Sequence, residues 1–233
     1  DNMTLSGETI DYGPCAFMNH YDPKTVFSSI DTFGRYSFSN QPPITKWNLA
    51  RFAECLIPLI DKNEDTAIKI ATEIIDNFQN IYEIKWLNMM RDKLGLFGED
   101  KNDLELINNL LNWMKTNQAD YTNTFCYLMN IGSIKNEIYK DKNFINWFKN
   151  WEKRILINGS SKENSLELMK KNNPIVIPRN HKVEEALAAA NNDNLKPMND
   201  LLSILNKPYS AQSNIESFQS PSNDQNYQTF CGT

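Results

Sequence analysis

From Thr45 onward the apolar residues recur at helical spacing, and they keep that spacing through most of the chain. Trp47, Leu49, Ala50, Phe52, Ala53, Leu56, Ile57 and Ile60 form one wide stripe. Beyond Asp65 the pattern continues through Ile68, Ala71, Ile74, Ile75, Phe78, Ile81, Tyr82 and Leu87, as two helices or one long one, until Gly95 and Gly98 interrupt it. Leu104, Ile107, Leu110, Leu111 and Met114 place a helix over 103–115, and Asp120 stands where it can cap a short helix reaching Met129. Further helices are expected over 144–157, 165–171, 183–191 and 195–205. The stretch from Pro174 to Pro178 is too short and too bounded by proline to be a central strand. No internal repeat of helix-pair length is evident.

The first 45 residues read differently. Ser6-Gly7 is a turn dipeptide with apolar Met3, Leu5 and Ile10 around it, the pattern of a short β-hairpin. A two-residue loop would set Leu5 opposite Glu8, Met3 opposite Ile10 and Asn2 opposite Asp11, at roughly 4.5–5.5 Å. An amide oxygen and a carboxylate at that separation can share one Mg²⁺. Kinase-like sites hold their metal with a catalytic-loop Asn and the Asp of an Asp-Phe-Gly motif, and Asp11-Tyr12-Gly13 would take the second role. The same residues also suit a plain hairpin followed by a Gly-Pro loop. Residues 12–45, with Gly13, Pro14, Pro23, Gly34, Pro42 and Pro43, have no sustained period and read as a long irregular segment. From Tyr209 to Gln228 the chain is rich in Ser, Asn, Gln and Pro, a linker or flexible tail ending on Phe230-Cys231-Gly232-Thr233. The chain therefore divides into 1–45, a helical lobe over 46–208, and a tail over 209–233.

Composition narrows the function. A 40% hydrophobic content over 233 residues suffices for one substantial core. A net charge of −5 without any Lys/Arg block disfavours nucleic acid and anionic membrane as partners. No apolar run approaches the roughly 20 residues of a membrane helix, and no signal-peptide pattern is present. The four cysteines lack C-x-x-C spacing and there are two histidines, so zinc is not expected. Cys55 and Cys126 lie on apolar stretches and read as core thiols. Opening on Asp1 with no Met before it, the chain reads as the back part of a longer protein.

Four segments in order resemble the selenoprotein O family of kinase-like protein adenylyltransferases. They are Asp1-Asn2-Met3 with Gly7 and the run from Ile10 through Asp11-Tyr12-Gly13-Pro14-Cys15 to Phe17; Gly34-Arg35-Tyr36 with Asn40-Gln41-Pro42 and Trp47 to Arg51; Asn173-Pro174 with Ile177 to His181; and the terminal Phe230-Cys231-Gly232-Thr233. The resemblance implies a mainly α protein-kinase-like C-terminal lobe entered through the hairpin, with the N-terminal lobe absent. It implies transfer of AMP from ATP to Ser, Thr or Tyr hydroxyls of proteins. Asp1 matches the proton acceptor, Asn2 and Asp11 match the ligands of Mg²⁺ or Mn²⁺, and Asp11 also meets the nucleotide through the ion. In an ordinary kinase loop the base lies five residues before the Asn, whereas Asp1 adjoins Asn2, which suits a nucleophile approaching a different phosphate.

Arg35, Tyr36, Asn40 and Gln41 fall where an activation segment would run, and packing that loop onto the helices is the expected role. Arg179, Asn180 and His181 read as a helix start, with Asn180 as cap and His181 structural. Cys15 stands beside the metal motif, Cys231 hangs on the tail, and bacterial relatives carry a similar pair; a disulfide between them would act as a redox latch. The lysine, arginines, glutamate and glycine-rich loop of a nucleotide clamp are missing, so the isolated chain is expected to be inactive. A monomeric protein of a bacterial cytoplasm is expected. Two other readings stay open: a conventional protein phosphotransferase, and a catalytically dead pseudokinase scaffold.

Overall fold

A computed structural model describes residues 3–8, 16–131, 137–157 and 161–222. The described residues are mainly helical: α1 Gln41–Ile60, α2 Glu64–Asp76, α3 Phe78–Lys93, α4 Asp103–Thr116, α5 Tyr121–Leu128, α6 Lys142–Ile155, α7 Lys162–Asn172, α8 Asn180–Ala190, α9 Lys196–Leu205 and α10 Glu216–Gln219. Short 3₁₀ turns occupy Phe38–Asn40 and Glu137–Lys140. No strand occurs among the described residues, whose one isolated β-bridge joins His20 and Asp120. Of the expected hairpin, residues 3–8 carry a turn at Leu5-Ser6, and Asn2, Ile10 and Asp11 lie outside the described residues.

Local chemistry explains where the helices begin. α1 starts at Gln41, before the expected Thr45, because Pro42 and Pro43 sit in its first turn, where a missing N–H costs nothing. The Asn63 side chain caps α2 by accepting from Thr66 N, Asp120 caps α5, Asp141 caps α6, and Ser161 caps α7. Asp120 thus takes the capping role that the sequence suggests. The pattern beyond Asp65 resolves as two helices, α2 and α3, meeting at Asn77.

The chain forms two compact units. In the first, which includes residues 23–87, α1 packs along α2. Its buried apolar side chains among the described residues are Ala67 and Ala71, and α1 has none. Cys55, expected in a core, is exposed for that reason.

The second unit includes residues 16–22 and the described residues from Asn88 onward. It holds a dense core in which α4 packs against α6. The Trp113 and Phe144 rings lie 4.5 Å apart, and Trp147 stacks on Trp151 at 6.2 Å. Each buried indole N–H finds an acceptor: Trp113 on the Asp141 carboxylate, Trp147 on the Leu106 carbonyl and Trp151 on the Leu94 carbonyl, all at 2.8 Å. α8 and α9 pair as an antiparallel hairpin. The expected flexible tail departs from its composition here. Ile215 and Gln219 are buried, and Gln219 donates to the Ile175 carbonyl at 2.8 Å.

Candidate functional site

The residues to which the sequence assigns chemistry, Asp1, Asn2, Asp11, Cys15 and Cys231, lie outside the described residues. The structure does describe what flanks them. Between Asn2 and Asp11, the Thr4 hydroxyl donates to the Glu8 carbonyl at 3.0 Å, the Ser6 hydroxyl accepts from Glu8 N, and Gly7 takes a left-handed φ of 71°. Among the described residues no group of three or more His, Cys, Asp or Glu side chains could hold a metal ion.

In the first unit, the activation-segment-like loop is tied by its own polar groups. The Asp31 carboxylate accepts from both Arg35 N and Tyr36 N at 2.8 Å, and Gly34 turns the chain at a φ of 65°. Asn40 Nδ2 donates to the Arg35 carbonyl, and Gln41 Nε2 donates to the Tyr36 carbonyl at 2.6 Å. The Arg35 guanidinium stacks 4.8 Å above the Trp47 ring of α1, where Arg51 also approaches. These residues hold the loop against the start of α1, as the sequence reading favours.

In the second unit, the segment that begins at Ala16 is anchored. Asn180 Oδ1 accepts from Phe17 N at 3.1 Å and its Nδ2 donates to the Phe17 carbonyl at 3.4 Å. Asn180 is therefore not the cap of α8; it is the first helical residue, and its amide serves a backbone segment instead. The Asn19 carbonyl accepts from Tyr121 N, and its side-chain oxygen accepts from Arg179 Nη1 at 2.7 Å. Arg179, 1% exposed, also grips the Asp120 carboxylate with both terminal nitrogens and donates to the Gln219 carbonyl at 2.8 Å. Phe17 and Asn180 belong to two of the four segments that carry the resemblance, and here they meet.

Two other polar groups escaped the sequence reading, Asp103 and Lys93, and two that it had read, Cys126 and His181, stand in the same unit. Asp103 is fully buried between Arg91 at 2.8 Å and Arg154 at 2.6 Å. Burial pushes its carboxyl up, but hydrogen bonds from Arg154, Asp100 N and Arg91 outweigh that and hold it below the ordinary value. Lys93 lies 4.4 Å from the Phe125 ring centre and donates to the Asn172 carbonyl; burial lowers its ammonium to about 8, with Cys126 opposing. Burial pushes the Cys126 thiol up to about 12, which makes it an inert core thiol, as expected. His181 is half-buried, its Nδ1 lacks a hydrogen-bond partner, and burial lowers its pKa. Each of these belongs to packing or to ion pairing. No periodic or motif signal could have announced the Asp103 and Arg179 clusters, because their members lie 12 to 160 positions apart.

The family model described as "Protein adenylyltransferase SelO" matches residues 1–206. A protein nucleotidyltransferase YdiU from Pelagibacter ubique is 60% identical over the whole chain, which spans 49% of that relative. The relatives of the same name from Alcanivorax borkumensis and Nitrosococcus oceani are 50% and 48% identical over the whole chain, which spans 49% and 48% of them. The chain thus spans about half the length of the curated relatives it matches.

Proposed function

The chain belongs to the SelO family of protein adenylyltransferases, and from that membership we propose that the protein transfers AMP from ATP to Ser, Thr or Tyr hydroxyls of protein substrates. The observation that carries this reading is the family match along residues 1–206, a span that contains Asp1, Asn2, Asp11 and Cys15. The helical array then corresponds to the C-terminal lobe of a kinase-like fold. The nucleotide clamp belongs to the remaining half of a longer polypeptide, and the 233-residue chain alone is inactive.

The chemistry follows from the residue types. The Asp1 carboxylate accepts the substrate hydroxyl proton as the oxygen attacks the α-phosphorus of ATP. The bond from that phosphorus to the bridging oxygen breaks, and pyrophosphate leaves with the electron pair. Asn2 offers an amide oxygen and Asp11 a carboxylate, the hard oxygen donors that suit Mg²⁺ or Mn²⁺. When bound, such an ion neutralises charge on the phosphates. Under an added disulfide oxidant such as oxidised glutathione, which takes up the two electrons and two protons, Cys15 and Cys231 join in a disulfide that restrains the tail and lowers activity; peptide mapping of the oxidised protein without the linked pair would remove this regulatory part.

The test uses the protein completed with its remaining half, incubated with ATP labelled at the α- or the γ-phosphate. Protein-bound α-label that disappears in Asp11→Ala supports AMP transfer and the ligand role together. Label from the γ-position alone would mean a conventional phosphotransferase. Label from neither position would favour the pseudokinase scaffold. Association of the completed protein measured by light scattering checks the monomeric state.

A further inference from the structure

The unit built on α1 and α2 contains an open groove of about 810 Å³ between the two helices. Its floor is apolar and low: Ala50, Ala53 and Ile57 from α1, and Ile68, Ala71 and Ile75 from α2. Alanine at three floor positions lets another backbone come close, and the isoleucines supply walls for interdigitating side chains. Around this floor stand the carboxylates of Glu54, Asp61, Glu64 and Asp76 against the single ammonium of Lys62. Three of the acids are already engaged, Glu54 by Arg51, Asp76 by Lys46 and Asp61 by accepting from Asn63 N at 2.7 Å, which leaves the exposed Glu64 in the first turn of α2 and the second carboxylate oxygen of Asp61.

Among its described residues the same unit buries little apolar surface. Ala67 and Ala71 are the buried apolar side chains among its described residues, while Trp47, Phe52, Leu59, Ile68, Ile74 and Ile81 remain between 39% and 82% exposed. Exposed apolar surface on that scale marks an interface rather than a finished surface. The relatives are about twice as long as the chain and match it end to end.

We infer that this groove is the seat of an amphipathic helix from the half of the SelO polypeptide that lies beyond these 233 residues. The helix presents small or medium apolar side chains to the alanine floor and Lys or Arg to Glu64 and to the oxygen of Asp61 that Asn63 N leaves open. The inference rests on the reading that the chain is part of a longer SelO protein. It adds where the other half docks and which chemistry it presents.

The experiment compares backbone hydrogen exchange in this chain with that in the same chain completed by the remaining half of the Pelagibacter ubique relative. The expected result is exchange slower by about tenfold or more across α1 and α2 in the completed protein. Ala53→Trp fills the groove and returns α1 and α2 to the rates of the isolated chain, with α4 and α6 unchanged. Glu64→Gln, which removes the charge without setting a cation at the start of α2, weakens the protection in the same direction. Equal exchange with and without the other half would overturn the inference. So would protection that both variants leave intact, or dimers of the isolated chain that protect the groove. Because exchange does not depend on catalysis, protection without AMP transfer would sink the proposed reaction and leave the docking site standing.

Discussion

Arg179 meets the Asp120 carboxylate with two hydrogen bonds, 2.6 and 3.1 Å long, while retaining 1% of its exposure. The same carboxylate caps α5, so one side chain starts a helix and neutralises a buried cation. Asp120→Asn keeps an oxygen for the cap but leaves the guanidinium without its counter-charge. Breaking a buried pair in this way costs about 3–5 kcal/mol. Asp120→Ala loses the cap as well, about 1 kcal/mol more. Chemical denaturation of the chain checks both; an Asn variant as stable as the parent would show that the charge contributes nothing.

Asp103 supports a prediction at the acid end. Its carboxyl is held below the ordinary 3.8 because Arg154, Asp100 N and Arg91 together overcome the upward push of burial. A group with a depressed folded pKa adds stability that is fully present above its unfolded value and fades as the pH falls through the folded one. The stability of the second unit therefore drops below about pH 4. Asp103→Asn lowers stability at neutral pH and removes much of that acid dependence. Denaturation midpoints measured from pH 6 down to pH 2.5 decide it: parallel curves for parent and variant would exclude the role.

How far the sequence reaches can be seen at individual residues. α4 and α6 follow directly from apolar spacing, and the α5 cap follows from an Asp placed just before an apolar run. The start of α1 is harder to read, since Pro42-Pro43 signals a loop as readily as a first helical turn. Asn180 looks like a cap by type and position, yet its amide is spent on Phe17, 163 positions away. Cys55 sits on an apolar stripe, but α2 covers that stripe too thinly to bury any α1 side chain, so the thiol is exposed. The polar tail conceals Ile215 and Gln219, which dock because single side chains suffice to anchor a short helix. As for the candidate site, Asn2 and Asp11 are read from a hairpin register and an Asp-Tyr-Gly triplet and Asp1 from the family resemblance, all three outside the described residues, while the anchors of the segment that follows become visible only in three dimensions.

Gly95 marks a close approach that no larger residue can make. It ends α3 with a φ of 68°, and a Cβ added there would stand 2.5 Å from the Ser165 carbonyl oxygen and 3.0 Å from Met169 Cγ. The obstacle at Ser165 is backbone within α7, which cannot swing aside as a side-chain tip would. Gly95→Ala should cost about 2 kcal/mol or more, through strain at positive φ and displacement of α7. Thermal melts of the variant check this, with Gly7→Ala as a comparison at a glycine of similar φ and open surroundings. Equal losses in the two variants would mean that backbone conformation, not contact with α7, sets the cost.

Lys93 makes the opposite prediction to Asp103, at alkaline pH. Burial lowers its ammonium from 10.5 to about 8, against the raising influence of Cys126. Below pH 8 the lysine is charged in both folded and unfolded chains, and the folded state bears the cost of burying that charge. As the pH rises past 8 the folded lysine gives up its proton first, and stability increases by roughly 1 kcal/mol between pH 8 and 9. Cys126 offsets part of that Lys93 contribution already within this window, and the window closes above it. Cys126, raised by burial from 9.0 to about 12, and Tyr139, raised by burial from 10.0 to about 12, ionise earlier in the unfolded chain and pull stability down. Lys93→Met removes the charge while keeping a flexible apolar chain beside Phe125 and Tyr121, so it should be at least as stable as the parent at pH 7 and should lose the rise between pH 8 and 9. Urea denaturation of both proteins at half-unit steps from pH 7 to 9 reads the difference directly. A rise of the same size in the variant would assign it to another group.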